Sequence, residues 1–112
     1  MACTFCEIAS GNIPASIVAE TSNFIAFRDI NPISPTHILV VPKKHLESPA
    51  ELASYSGEAV KELFSLLDEV ADREGVKETG YRIVMNIGDD AKQEVLHLHF
   101  HLLGGRRLGS IG

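Results

Sequence analysis

The chain reads as an α+β fold, an antiparallel sheet of about five strands with one main helix. Three observations carry that reading. Strand-like segments fall in two groups on either side of one helical stretch, which disfavours a regular βαβ winding. The connection between the segments at 24–29 and 37–42 is short, which suits antiparallel neighbours. Apolar residues between 60 and 71 recur at helical spacing, whereas the flanking apolar segments are short.

The elements follow in order. Residues 18–20 and 24–29 read as short strands joined by a turn at Thr21-Ser22-Asn23. Asn31-Pro32-Ile33-Ser34-Pro35 is irregular, because each proline biases its predecessor away from helix. Residues 37–42, His-Ile-Leu-Val-Val-Pro, form an apolar, β-branched strand expected at the centre of the sheet. Ser48-Pro49-Ala50-Glu51 is a capping box with proline at the first helical position. Val60, Leu63, Phe64, Leu67, Val70 and Ala71 then give one apolar helix face, Gly75 closes it, and residues 54–57 interrupt or kink it. Residues 81–87 and 96–103 supply the last two strands, ended by Gly104-Gly105.

A chain of 112 residues fits one domain spanning 1–112, with one modest core. Hydrophobic residues at 45% and charged residues at 22% fit a globular protein rather than a disordered one. The net charge of -5 weighs against a nucleic-acid partner. No apolar run approaches the roughly 20 residues that span a bilayer, so no membrane association is expected. The start, Met1-Ala2-Cys3-Thr4-Phe5-Cys6-Glu7, lacks a basic segment followed by a long apolar one, so a cytoplasmic location is expected. There Cys3 and Cys6 would be thiols or metal ligands, not a disulfide.

His97-Leu98-His99-Phe100-His101-Leu102-Leu103 is the segment richest in chemistry. In a strand, successive side chains point to opposite faces, so the three imidazoles would share one face. Leu96, Leu98, Phe100 and Leu102 would face the core. The other two histidines, His37 and His45, bracket the strand at 37–42. Two chemistries suit the triple. Three imidazoles could hold a catalytic metal with water as fourth ligand. Alternatively, the middle imidazole could attack phosphorus and form a histidyl-nucleotide that water hydrolyses.

The His-x-His-x-His-x-x pattern with apolar x resembles the signature of the histidine triad (HIT) superfamily. Ile13-Pro14-Ala15, Ala26-Phe27-Arg28-Asp29-Ile30-Asn31-Pro32, Pro35-Thr36-His37, Val41-Pro42-Lys43-Lys44-His45, Gly80-Tyr81-Arg82 and Gln93-Glu94-Val95 are similar to family blocks and keep family order. The Leu103-Gly104-Gly105-Arg106 ending resembles the Hint branch, purine nucleoside phosphoramidases, more than the fragile-histidine-triad branch, which cleaves dinucleoside polyphosphates. The resemblance implies a homodimer whose sheet continues across the interface. It implies hydrolysis of purine nucleoside 5′-phosphoramidates through a nucleotidyl-histidine, with no catalytic metal. Dinucleoside polyphosphate hydrolysis, or nucleotide binding with vestigial catalysis, are the alternatives.

By the same resemblance His99 would be the nucleophile, His97 and His101 would flank it, orienting the ring and donating to phosphate oxygens, and His37 would support them; as a zinc ligand, His97 would act only through positioning. Asp29 would bind the ribose hydroxyls, as an ionised acceptor suits. Asn86 would contact the phosphate region, and Phe5, Phe27 and Ile30 would form an apolar slot for the purine. Gln93 and Glu94 would meet the phosphate and leaving group. Some bacterial relatives bind structural zinc at the positions filled here by Cys3, Cys6, His45 and His97. The chain departs from the pattern at Lys92, where many relatives have glycine, at Glu94, a bacterial-type residue where animal members carry a hydroxyl, and in lacking a Trp-Pro-Pro tail. These departures bear on leaving-group preference rather than on the histidines.

Overall fold

The computed structural model describes residues 3–112. In chain order the elements are α1 (Thr4–Ala9), β1 (Ile17–Glu20), β2 (Phe24–Arg28), β3 (Thr36–Pro42), α2 (Pro49–Ala53), α3 (Gly57–Arg73), β4 (Tyr81–Val84), a 3-10 turn at Asp89–Ala91 and β5 (Phe100–Gly104). The five strands form one antiparallel sheet in the order β1-β2-β3-β5-β4. The expected α+β architecture is therefore present, with β3 at its centre.

Every residue of β3 is buried because both faces of the sheet are covered there. Ile38 and Val40 pack with Phe24, Ala26, Phe100 and Leu102 in a cluster completed by Leu63, Leu66, Leu67 and Val70 of α3. On the opposite face Leu39 and Val41 join Ile25, Phe27 and Phe5 of α1. A strand buried on both sides reads as a continuous apolar run, which explains Ile38-Leu39-Val40-Val41. Arg73, in the last turn of α3, donates to the Val18 carbonyl at 2.7 Å and ties that helix to β1.

The interruption expected at residues 54–57 divides the helical stretch into two helices. Ser54 and Tyr55 return N–H groups to Glu51 and Leu52, and the Ser56 hydroxyl caps α3 by accepting from the Ala59 N–H. Ser48 caps α2 by accepting from Glu51 N–H. The Glu51 carboxylate accepts from the Glu47 N–H, not from Ser48 as the reciprocal form of a capping box would have it. Gly75, at φ +72, follows the end of α3.

Three expectations need correction. The strand expected over 81–87 ends at Val84, where its ladder with β5 stops at His101. Helix α1 was not foreseen; it is a six-residue element with no side-chain cap, too short for periodicity to show. The final strand begins at Phe100, not at residue 96. Residues before it bend, and the Leu98 N–H goes to the Leu46 carbonyl rather than into the β3 ladder. Leu98 still reaches the α3-side core, but Leu96 is 65% exposed.

Candidate functional site

The sheet face opposite α3 carries the chemistry. His37 pairs in register with Leu103 and His101 with Leu39, so the two rings are diagonal neighbours across β3 and β5. Their Nε2 and Nδ1 atoms lie 2.9 Å apart. His37 Nδ1 faces the Ile33 N–H at 3.2 Å and must accept from it. The His37 proton is therefore on Nε2 and is given to His101 Nδ1, which leaves His101 with an outward N–H donor at Nε2. Asp29 closes this cluster, with Oδ2 3.4 Å from His37 Nε2 and Oδ1 accepting from the Asn31 N–H at 2.8 Å.

His99 is fixed by a different bond. Its Nδ1 lies 2.7 Å from the His97 carbonyl, which can only accept, so the ring proton sits on Nδ1. In the neutral imidazole the bare lone pair is therefore the one on Nε2. The His99 ring stands edge-on to Phe5 and to His101, with centroids 5.1 and 5.0 Å away.

Two cavities meet at His99 and His101. The more polar of the two, about 500 Å³, is lined by Asn86, Lys92, Glu94, His37 and Asp29 together with Ile33, Val84 and Leu103. An apolar one of about 380 Å³ is walled by Phe5, Ile8, Pro14, Phe27 and Leu39, and also touches Asp29 and Glu94. Asp29, Asn86, Glu94, Phe5 and Phe27 thus stand where the sequence reading brings them. Ile30 lines the apolar cavity but is 90% exposed, forming a rim rather than the interior of a slot. Gln93 lines neither cavity. Its amide braces the loop instead, accepting from the Gly88 N–H and donating to the Val95 carbonyl.

His97 is placed for the zinc and orienting roles expected of it, not for donation to a phosphate oxygen. Its ring is fully buried and points away from the cavities. Nε2 donates to the Pro42 carbonyl at 2.8 Å, and Nδ1 lies 3.3 Å from Cys3 Sγ and 3.5 Å from Cys6 Sγ. Cys6 Sγ is in turn 3.4 Å from His45 Nδ1. The four donor atoms lie within 4.8 Å of one another. A tetrahedral zinc with ordinary Zn–S and Zn–N bonds would hold its sulfur and nitrogen ligands about 3.5 Å apart. The far nitrogens are also suitably held, His97 by Pro42 and His45 by Glu47 Oε2 at 2.8 Å. These residues fit a structural zinc. Among the described residues no metal-ligand cluster contains all three triad histidines, because His97 faces the cysteines. Asp29, His37 and His101 also converge, but neutral His37 could ligate through Nε2 only by moving its proton to Nδ1, against the Ile33 N–H.

Sequence reasoning missed several contributors. The Ile33 N–H and the His97 and Pro42 carbonyls act through backbone atoms, which leave no trace in residue type. Glu47 was findable, because it follows His45 by two residues and a ligating imidazole needs an acceptor for its second nitrogen.

Burial dominates the electrostatics. It pushes the His101 pKa down to about 4, helped by the neighbouring His99 and His37 rings. It also lowers His37, against the pull of Asp29.

The HIT domain family model matches residues 10–108. The chain belongs to the HIT family. A purine nucleoside phosphoramidase of Escherichia coli K12 is 39% identical over 105 residues, spanning 94% of this chain and 88% of that protein. The solved structure of a HIT family hydrolase from Legionella pneumophila superposes with a TM-score of 0.89 at 44% identity, covering 96% of each chain. A zinc-bound histidine triad family protein from Mycobacterium smegmatis superposes with a TM-score of 0.77 at 33% identity, covering 95% of this chain and 76% of that one.

Because the His101 pKa is depressed in the fold, its contribution to stability is present above the ordinary histidine value near 6.5 and is lost as pH falls toward about 4. An NMR titration is expected to show the His101 ring neutral at pH 6 and protonating near pH 4. A midpoint above 6 would contradict the buried geometry. His101→Gln should flatten the decline of unfolding free energy between those two pH values.

Proposed function

We propose that this histidine triad hydrolase cleaves the P–N bond of purine nucleoside 5′-phosphoramidates through a nucleotidyl intermediate on His99. The observation that carries the reading is the His99 tautomer. The Nδ1–H bond to the His97 carbonyl leaves Nε2 as a nucleophile at the junction of an apolar and a polar cavity. The similarity to the E. coli phosphoramidase supports the substrate class.

The apolar cavity suits a purine, Asp29 at the junction suits the ribose hydroxyls, and the α-phosphate would then lie against His99 and His101. His99 Nε2 attacks phosphorus. The P–N bond breaks, and the amine leaves with its electron pair and a proton from solvent. Water next attacks phosphorus, the bond to Nε2 breaks, and AMP departs as the surplus proton returns to solvent. His101, neutral at physiological pH, donates its Nε2–H to a phosphate oxygen as charge develops there. His37 holds His101 in that tautomer, and Asn86 supplies a further polar contact from the cavity wall.

The fit of Cys3, Cys6, His45 and His97 supports a structural zinc. With four protein ligands, it would crosslink α1, the end of β3 and the start of the triad segment, and leave no position open for substrate. Phe5, between the two cysteines, is edge-on to Phe27, His97 and His99, so this arm also forms a wall of the purine cavity. A homodimer is supported by β4, whose outer edge has no strand partner among the described residues. Tyr81 and Ile83 are exposed in β4, Met85 and Ile87 just beyond its end, and an apolar edge of this kind favours pairing.

Three measurements test these readings. Wild type should release AMP from adenosine 5′-phosphoramidate, with kcat/KM reduced by roughly four powers of ten in His99→Ala; AMP binding without turnover would refute the activity. Elemental analysis should find about one zinc per chain, most of it lost in Cys6→Ser, and equal zinc in both proteins would remove the site. Ile83→Asp should shift sedimentation from dimer to monomer; a wild-type monomer would end the dimer proposal.

A further inference from the structure

Lys92 stands out in backbone and in position. It is the one non-glycine residue with positive φ among the described residues, at φ 59 and ψ 42. That region disfavours residues with a Cβ and would suit glycine. The conformation is nonetheless well held. Lys92 N–H donates to the Asp89 carbonyl, Gln93 N–H to the Gly88 carbonyl, and the Gln93 side chain bridges Gly88 and Val95.

The side chain so presented lines the polar cavity together with His99, His101 and Asn86, and does not line the apolar one. It is the only lysine or arginine among the residues lining that cavity. The imidazole neighbours His37 and His101 are neutral at physiological pH, since burial lowers both. Asp29 and Glu94 line the same cavity, but among the described residues no carboxylate lies within ion-pairing distance of the Lys92 ammonium. Both carboxylates also border the apolar cavity, whereas Lys92 does not. Arg28 lines the apolar cavity, but its guanidinium is held by both carboxylate oxygens of Glu74. Among the described residues lining the two cavities, the cation without a carboxylate partner is therefore Lys92, on the side of the site away from the base.

With the base in the apolar cavity and phosphorus at His99, the group bonded to phosphorus through nitrogen extends into the polar cavity. We infer that Lys92 is a specificity-determining residue of this chain, favouring leaving amines that bear a free carboxylate over otherwise identical amines that do not. This rests on the phosphoramidase reading above. In the step itself the P–N bond breaks, the nitrogen takes the electron pair and a solvent proton, and the free amino acid departs. Lys92 exchanges no proton. It pairs with the carboxylate before and during bond breaking, as a specificity-determining residue. A mobile ammonium with three donors suits a carboxylate at variable distance.

The test compares AMP joined through nitrogen to alanine with AMP joined to alaninamide, which differ only in the carboxylate. Wild type should prefer the alanine compound by kcat/KM. Lys92→Met keeps the chain length and the backbone demand, and should reduce that preference about fivefold, the size expected for one partly exposed charge pair. Lys92→Arg should retain it, and the wild-type preference should decline as salt rises. Equal losses on both compounds in Lys92→Met would assign the lysine to the phosphate or to loop structure and overturn the inference. An unchanged preference would do the same. If wild type hydrolyses neither compound, nor adenosine 5′-phosphoramidate, the phosphoramidase reading fails and the inference falls with it. Turnover of all three with no preference for alanine overturns the inference alone.

Discussion

The bond from His97 Nε2 to the Pro42 carbonyl joins the start of the triad segment to the end of the central strand. Residue 97 is thereby held on three sides, by Pro42, by the two cysteine sulfurs and by burial under Phe5. Its own carbonyl is then a fixed acceptor for His99. The tautomer of the central histidine thus depends on a backbone atom whose position is set by a side chain that never reaches the cavity. A buried imidazole deprived of one of these partners would leave an unpaired polar group, at a cost of about 1–3 kcal/mol.

This arrangement separates the histidines into two working groups. His97 and His45 turn toward sulfur, whereas His99, His101 and His37 turn toward the cavities. Alternation along a strand would put 97, 99 and 101 on one face, and they do share it. What alternation does not specify is direction within that face. Because the ladder with β3 begins only at Phe100, residue 97 is free of it and can lean toward α1. One short motif consequently serves both a candidate metal centre and a candidate catalytic site.

Much of this was legible in the residues. The apolar run of β3, the helical spacing at 60–71 and the short connection before His37 were sufficient for the sheet and its main helix. The spacing of five histidines and two cysteines, read through the family resemblance, brought together the groups that the fold brings together. The failures have common causes. Leu96 looked like a core residue because the alternation around it is regular, yet a backbone bond from Leu98 to Leu46 ends the strand early. Gln93 looked like a phosphate contact, but its amide satisfies loop backbone at both ends. Ile30 is apolar and correctly placed, but it sits at a rim where solvent takes most of its surface. Each was decided by a backbone hydrogen bond or by local depth, and residue type encodes neither.

The chain of bonds from the Ile33 N–H through His37 to His101 has a polarity, since each ring accepts on one side and donates on the other. What position 37 must provide is therefore orientation, not basicity. A side-chain amide has the same two-sided character, with a carbonyl to face Ile33 and an N–H to face His101. A carboxylate does not, because it can only accept and would force His101 to turn its own proton inward. The substitutions tolerated at this position should accordingly sort by hydrogen-bond sense rather than by charge or size. A protein engineer could use that sorting to read the direction of the chain without ever locating a hydrogen atom.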